Sequence, residues 1–114
     1  MLIQARKLHD AFEANEIAAE QEFKGIDLLV NGVVNRVLRR NRRIVVEMES
    51  GDAAAPVLCH FPEVEAPAVG TLERGQTVLV ICRCTGRLGR SVELWGCGLT
   101  DGSVEVLAGA KSFA

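Results

Sequence analysis

Arginine is the residue type whose placement in this sequence says most about chemistry. A guanidinium carries a rigid fork of N–H donors that matches phosphate and carboxylate oxygens. Eight of the thirteen lysine and arginine residues fall in two short stretches that contain no acidic residue, namely Arg36, Arg39, Arg40, Arg42 and Arg43, and then Arg83, Arg87 and Arg90. The stretches predict an anion-binding surface. The alternative hypothesis is that these arginines only solvate hairpin tips and protect strand edges.

Two further side chains could take part in binding. Trp95 is out of phase with Leu94 in its predicted strand, so we expect it to face outward, where an indole can stack on a base. His60 alternates with Cys59 and is expected on the outer face of its own strand. The alternatives are a tryptophan that covers the fold against the helix or a partner subunit, and a lone surface histidine. The absence of tyrosine argues against a strong single-strand binder.

The cysteines raise the question of metal or redox chemistry, and they are Cys59, Cys82, Cys84 and Cys97. If Cys84 lies opposite about Ser91 in a hairpin, Cys97 falls near Val78 and about 13 Å from Cys82, which is too far for a four-cysteine metal cage. We therefore expect buried, reduced cysteines, with a Cys59–Cys97 disulfide as the alternative. No metal, cofactor or catalytic constellation is predicted, so the sequence favours a non-enzymatic binding module.

The elements that must position these residues follow from the periodicity of apolar residues. Helical spacing over 5–23 predicts one amphipathic helix, and Gly25 marks its end. From residue 26 the period is two, which predicts a long first strand with a bulge near Asn35 and Arg36, strands at 43–49 and 57–61, and two more within 78–99. A short last strand is expected at 104–107. The arginine stretches then lie at turns 39–42 and 86–90.

This order of strands predicts a mainly β fold with one N-terminal helix, a five-stranded OB-fold-like Greek-key barrel. One domain over 1–114 is expected, with the helix at 5–23 and the barrel at 26–107. OB barrels bind oligonucleotides and oligosaccharides on the face of their second and third strands and on two hairpin loops. The predicted ligand-binding residues are Arg39, Arg40, Arg42, Arg43, Arg87, Arg90, His60 and Trp95.

A set of helix, strand, glycine and cysteine positions is also similar to one known family. These residues are Phe12, Asn15, Ala19, Gly25, Leu28, Val30, Gly32, Val34, Val57, Cys59, Phe61, Gly75, Val78, Val80, Cys84, Gly86, Val92, Leu94 and Cys97. In them the chain resembles the tRNA-anticodon-like (tRNA_anti-like) OB-fold family of small bacterial domains, many of them lipoproteins. The resemblance spans about Leu8 to Leu99. It implies an OB fold, no catalytic residues, and nucleic-acid binding only by analogy of fold. Cys82 departs from the family, which often has glycine there.

Charge and hydropathy bear on partners and compartment. The net charge is −2, and no apolar run has the length of a membrane span. Arg6 and Lys7 end the N-terminal apolar run, so no export signal is predicted and a cytoplasmic location is expected. A periplasmic or lipoprotein location is the alternative if a signal peptide has been removed. The expected partner is single-stranded nucleic acid or another polyanion, and the alternative is a protein partner or homo-oligomer.

Overall fold

The computed structural model describes residues 1–100 of the chain, and the strand predicted at 104–107 lies outside them. A short strand and two helices come first along the chain, and five further strands follow. The elements are β1 (Leu2–Gln4), α1 (Ala5–Ala14), α2 (Glu16–Phe23), β2 (Asp27–Arg40), β3 (Arg43–Met48), β4 (Val57–Phe61), a 3₁₀ turn (Glu63–Glu65), α3 (Ala66–Val69), β5 (Thr77–Leu88) and β6 (Ser91–Leu99). Among these residues no helix combines the length and the apolar character that crossing a bilayer requires.

Hydrogen bonding closes five of the strands into a ring. β2 pairs with β3, β3 with β4, and β5 with both β6 and β2, all antiparallel, while β4 and β6 are parallel. β1 adds to β2 in parallel, a short strand that the periodicity did not predict. Alternate strand residues face inward and pack with apolar side chains of α1 and α2 in one core. The predicted OB-like barrel with N-terminal helical structure is thus confirmed.

The N-terminal helix is two helices, so the prediction of one continuous helix was wrong. Asn15 has extended backbone angles, φ −162° and ψ 98°, and so ends α1 and begins α2. Its side-chain oxygen accepts a hydrogen bond from the Ala18 N–H at 3.0 Å. Asparagine is a strong N-cap residue because it satisfies one of the donors left free in a first helical turn. Apolar spacing continues across the break, which is why the periodicity missed it.

The first hairpin is longer and tighter than predicted. The predicted bulge is confirmed, because the register of β2 against β3 shifts between Val34 and Arg36. β2 then continues to Arg40, and β3 begins at Arg43. The turn therefore has two residues, whereas the sequence predicted a turn of four residues at 39–42. Asn41 and Arg42 form the turn, and both have positive φ, 52° and 67°. This conformation matches the twist of paired strands in two-residue hairpins.

The second hairpin has a different register from the predicted one. Gly86, expected in the turn, has a φ of 109° and lies inside β5 where the register shifts, and the turn itself is at Gly89 and Arg90. Cys84 is therefore opposite Leu94 and not near Ser91. The predicted separation of Cys97 from Cys82 was wrong for the same reason, because the two thiols are hydrogen-bonding neighbours.

All four cysteines are buried and their thiols are free, as predicted. A hydrogen bond with Cys97 and burial raise the pKa of Cys82 far above its ordinary value. Hydrogen bonding with Cys59 and burial likewise raise the pKa of Cys97, against a smaller opposing contribution from Cys82. A thiol is nucleophilic only as the thiolate. These cysteines are therefore packing groups of the core.

Candidate functional site

Three of the predicted binding residues meet on the outer face of β3, β4 and β6. The rings of His60 and Trp95 are stacked, with centroids 3.9 Å apart and an angle of 6° between their planes. The Arg43 Cζ lies over the Trp95 ring, 4.5 Å from its centroid. The parallel pairing of Cys59 with Leu94 places the next residues, His60 and Trp95, side by side on the outer face. We call Arg43, His60 and Trp95 the aromatic platform.

The buried carboxylate of Glu93 holds His60 in the aromatic platform. His60 Nε2 and Glu93 Oε1 are 2.5 Å apart, and each side chain is only 10% exposed. The histidine expected at the surface is thus buried and held by both its stacking partner and its hydrogen bond. Glu93 was not predicted, although its position two residues before Trp95 in one strand places both on the same face. A platform held at several points presents its indole in one orientation.

A second buried carboxylate holds two arginines of the first stretch on the same face. Glu47 is 7% exposed at its side chain and accepts a hydrogen bond from Arg36 Nη2 at 3.0 Å. Arg40 Nη2 lies 3.8 Å from the same carboxylate, close enough to be attracted but too far for a hydrogen bond. A buried carboxylate requires such positive partners. Arg36 is therefore hydrogen-bonded to Glu47, whereas Arg40 makes no hydrogen bond to a carboxylate in the part of the chain that the structure describes.

The other arginines of the first hairpin differ in their partners. Arg39 makes a two-pronged contact with Glu63, at 2.8 and 2.7 Å. The hydrogen bonds raise the pKa of Arg39 and lower that of Glu63. Arg42 is exposed at the turn and, within residues 1–100, no carboxylate bonds to it. Within residues 1–100, Arg40, Arg42 and Arg43 are thus the three cations of this hairpin that make no hydrogen bond to an acid, and we call them the free arginines.

The second stretch is neutralised by acids from other parts of the chain. Its contacts are Arg83 with Asp27 at 3.3 Å, Arg87 with Glu16 at 2.7 Å and Glu13 at 3.1 Å, and Arg90 with Asp52 at 3.1 Å. Hydrogen bonding to Glu16 raises the pKa of Arg87. The acids lie 38 to 74 residues away along the chain, so no local pattern could identify them.

The two arginine stretches do not form one surface. Ile44 pairs with Phe61, so the first hairpin tip is at the end of β4. Leu58 pairs with Glu93 in parallel, so the second hairpin tip is beyond the start of β4. Arg42 lies two residues beyond Ile44, and Arg90 lies three residues before Glu93. At about 3.4 Å per residue, the tips are separated by roughly 27 Å along the strands. The predicted set of adjacent arginine loops is therefore two patches that flank the face bearing the aromatic platform.

A cleft of mixed polar and apolar lining lies between the N-terminal segment and the β3–β4 connection. It has a volume of about 620 Å³, and its lining includes Arg6, Arg74, Glu49, Asp52 and Asn31. Charges of both signs line it, so its electrostatics do not favour a polyanion.

The family model described as tRNA_anti-like matches residues 1–95. No curated protein sequence matches the chain. Among solved structures, a candidate nucleic acid-binding lipoprotein of Klebsiella pneumoniae aligns with a TM-score of 0.73 at 14% identity, over 88% of this chain and 91% of that one.

Two further structures share the fold at lower similarity. An OBody bound to hen egg-white lysozyme aligns with a TM-score of 0.52 at 18% identity, over 68% of this chain and 84% of its own. The Stn1–Ten1 complex of Schizosaccharomyces pombe gives 0.51 at 10% identity, over 75% and 66%. At these identities the likeness establishes the OB fold alone.

Proposed function

The chain belongs to the tRNA_anti-like family, and from this premise we propose that it is a single-domain, non-enzymatic OB-fold module that binds single-stranded nucleic acid or a similar polyanion. One observation carries the proposal. The aromatic platform lies on the strand face that OB folds use for oligonucleotides, and the free arginines of the first hairpin border it.

Each part of this surface has a distinct task in the proposal. One base stacks on Trp95, and the guanidinium of Arg43 moves from the indole toward the adjoining phosphate. Arg40 and Arg42 contact further phosphates along the strand. Base stacking on an aromatic side chain contributes on the order of 1 to 3 kcal/mol. Because the chain has a single tryptophan and no tyrosine, we expect a short site of modest affinity.

Sequence selectivity is expected to be weak. Every base has a face that can stack, and guanidinium contacts to phosphate carry no sequence information. Binding should instead depend strongly on ionic strength, because each phosphate contact releases bound counterions. The proposal therefore describes a single-strand binder governed by charge and stacking.

A protein partner is the second candidate. The arginines of the second stretch are already paired with the protein's own acids, and Leu88 at that hairpin tip is 75% exposed. The OBodies, which share this fold, are bound to lysozyme. An OB face can thus accept a protein, and an exposed apolar hairpin tip suits such a contact.

We propose that the protein is located in the cytoplasm. The four free thiols support this location, because they suit a reducing environment. The Klebsiella neighbour is a lipoprotein, so an envelope location is the alternative. Cell fractionation with antibodies against the native protein distinguishes the two.

Fluorescence anisotropy with a labelled, mixed-sequence oligonucleotide at low ionic strength tests the proposed function. We expect saturable binding that weakens as salt is added, that prefers single strands to duplex, and that falls on replacing Trp95 by alanine. Circular dichroism must show that this variant keeps its fold. If the wild-type protein shows no binding even at low salt, the nucleic-acid proposal is rejected in favour of a protein partner.

A further inference from the structure

His9 is a buried histidine that makes no hydrogen bond to any of residues 1–100 through its ring. It lies on the inner side of α1 and is 4% exposed. Its Nδ1 is buried without a partner, and its Nε2 lies 3.8 Å from Glu13 Oε1, beyond hydrogen-bonding distance. Within residues 1–100 neither ring nitrogen is satisfied, and one of them points at a carboxylate. Buried polar groups are almost always hydrogen-bonded or bound to a metal ion, so we expect this imidazole to bind a further group.

Asp52, which is distant in sequence, brings a third side chain that can bind a metal ion close to His9 and Glu13. His9 and Glu13 are four residues apart and so share one face of α1. Asp52, from the connection between β3 and β4, completes a group in which one donor atom from each residue lies within 4.8 Å of the others. A tetrahedral zinc centre needs donor atoms roughly 3.4 Å apart, so small side-chain rotations would complete it.

The two carboxylates are already held by outer partners. Glu13 gives Oε2 to Arg87 at 3.1 Å, which leaves Oε1 facing His9. Asp52 Oδ2 accepts a hydrogen bond from Arg90 Nη2 at 3.1 Å, and its Oδ1 accepts one from the Ala54 N–H at 2.9 Å. In metal sites the ligating carboxylates are commonly hydrogen-bonded through their other oxygen, and this fixes their orientation. Arg87 and Arg90 thus orient these carboxylates, while their own positive charges act against a bound cation.

We propose that His9, Glu13 and Asp52 form a divalent-cation site of the zinc type. One imidazole and two carboxylates are a donor set of the zinc type, although Arg87 and Arg90 already offset part of the carboxylate charge. Three protein ligands leave a position for water. The site would tie α1 to the β3–β4 connection. It stands independently of nucleic-acid binding, because it is at the end of the face opposite the first hairpin.

Isothermal titration with Zn²⁺ at neutral pH, with the thiols kept reduced, tests this site. We expect one ion per chain. Replacing Glu13 by glutamine or Asp52 by asparagine should weaken binding by roughly 10- to 100-fold or more, and both side chains are exposed enough to change without unfolding the protein. Glu16→Gln is the matched control, since Glu16 also bonds Arg87 but lies outside the group, and it should bind Zn²⁺ like the wild type.

Cobalt substitution identifies the ligands directly. The Co²⁺ complex should show ligand-field absorption without a thiolate charge-transfer band, and His9→Gln should abolish that absorption. A thiolate band would assign the ion to cysteines and overturn the proposal. So would the absence of saturable zinc binding, or equal zinc affinity in the Asp52→Asn and wild-type proteins.

Discussion

Replacing Arg42 by asparagine should remove a specific fraction of the salt dependence of oligonucleotide binding. Arg42 has a φ of 67°, a left-handed conformation that asparagine tolerates better than most residues, so the turn should persist. The change removes one charge that no carboxylate of residues 1–100 neutralises. Its effect should therefore be on the electrostatic part of binding and not on the fold.

The magnitude follows from counting the free arginines. For single strands, log K falls with log salt concentration by about 0.7 for each phosphate contact, so three contacts from Arg40, Arg42 and Arg43 give a slope near −2. Arg42→Asn should bring the slope to about −1.4. Glu63→Gln should do the opposite, since it releases Arg39 from its two-pronged ion pair and adds up to one contact.

The assay is anisotropy over a series of salt concentrations for each variant. Arg90→Asn is the matched control, because Arg90 is likewise the second residue of a two-residue turn but is bonded to Asp52 at the far end of the face. It should leave the slope unchanged. The result that refutes the assignment is a salt dependence in Arg90→Asn that is weakened as much as in Arg42→Asn. Ion pairing would then not decide which arginines bind the oligonucleotide.

Three further predictions concern the fold that holds this surface. Asn15→Ala removes the α2 cap and should lower the free energy of unfolding by about 1 kcal/mol in denaturant titrations, and an unchanged midpoint would contradict the capping role. Gly32→Ala places a Cβ 2.7 Å from Met48 Sδ and should cost about 1 to 3 kcal/mol, which wild-type stability in thermal unfolding would disprove. Cys82 and Cys97, with raised pKa values, should resist Ellman's reagent until the protein unfolds. In the unfolded protein these thiols ionise near their ordinary pKa of 9.0, whereas in the folded protein they stay protonated to higher pH. The free energy of unfolding should therefore fall as pH rises above that value. A free energy of unfolding that does not change with pH in this range would refute the prediction.

Local patterns were sufficient to predict the five strands of the ring and the bulge, but not β1. Alternation of apolar residues is set by the pleat itself, and Val37 breaks phase where β2 shifts register. Glycine was ambiguous, since Gly86 suits both a turn and a bulge, and choosing the turn displaced the predicted partner of Cys84. The helix break at Asn15 was missed as well, because the apolar spacing continues past a single capping residue.

The candidate site depended on contacts that no local pattern contains. Sequence reasoning placed His60 and Trp95 on outward faces of separate strands, but their stacking requires the parallel pairing of β4 with β6, which exists only once the ring closes. The neutralisation of Arg87 by Glu13 and Glu16 depends in the same way on the docking of α1 and α2 against the β5–β6 hairpin. Charge clustering in a sequence therefore identifies candidate cations, while the fold decides which remain available.

Trp95 is the single tryptophan of the chain, so its intrinsic fluorescence tests the central claim most directly. Titration with an unlabelled single-stranded oligonucleotide should quench that fluorescence saturably, at the same concentrations that give binding by anisotropy. The quenching should reverse as salt is added. Binding by anisotropy with unchanged Trp95 emission would place the ligand elsewhere and contradict the account of the aromatic platform.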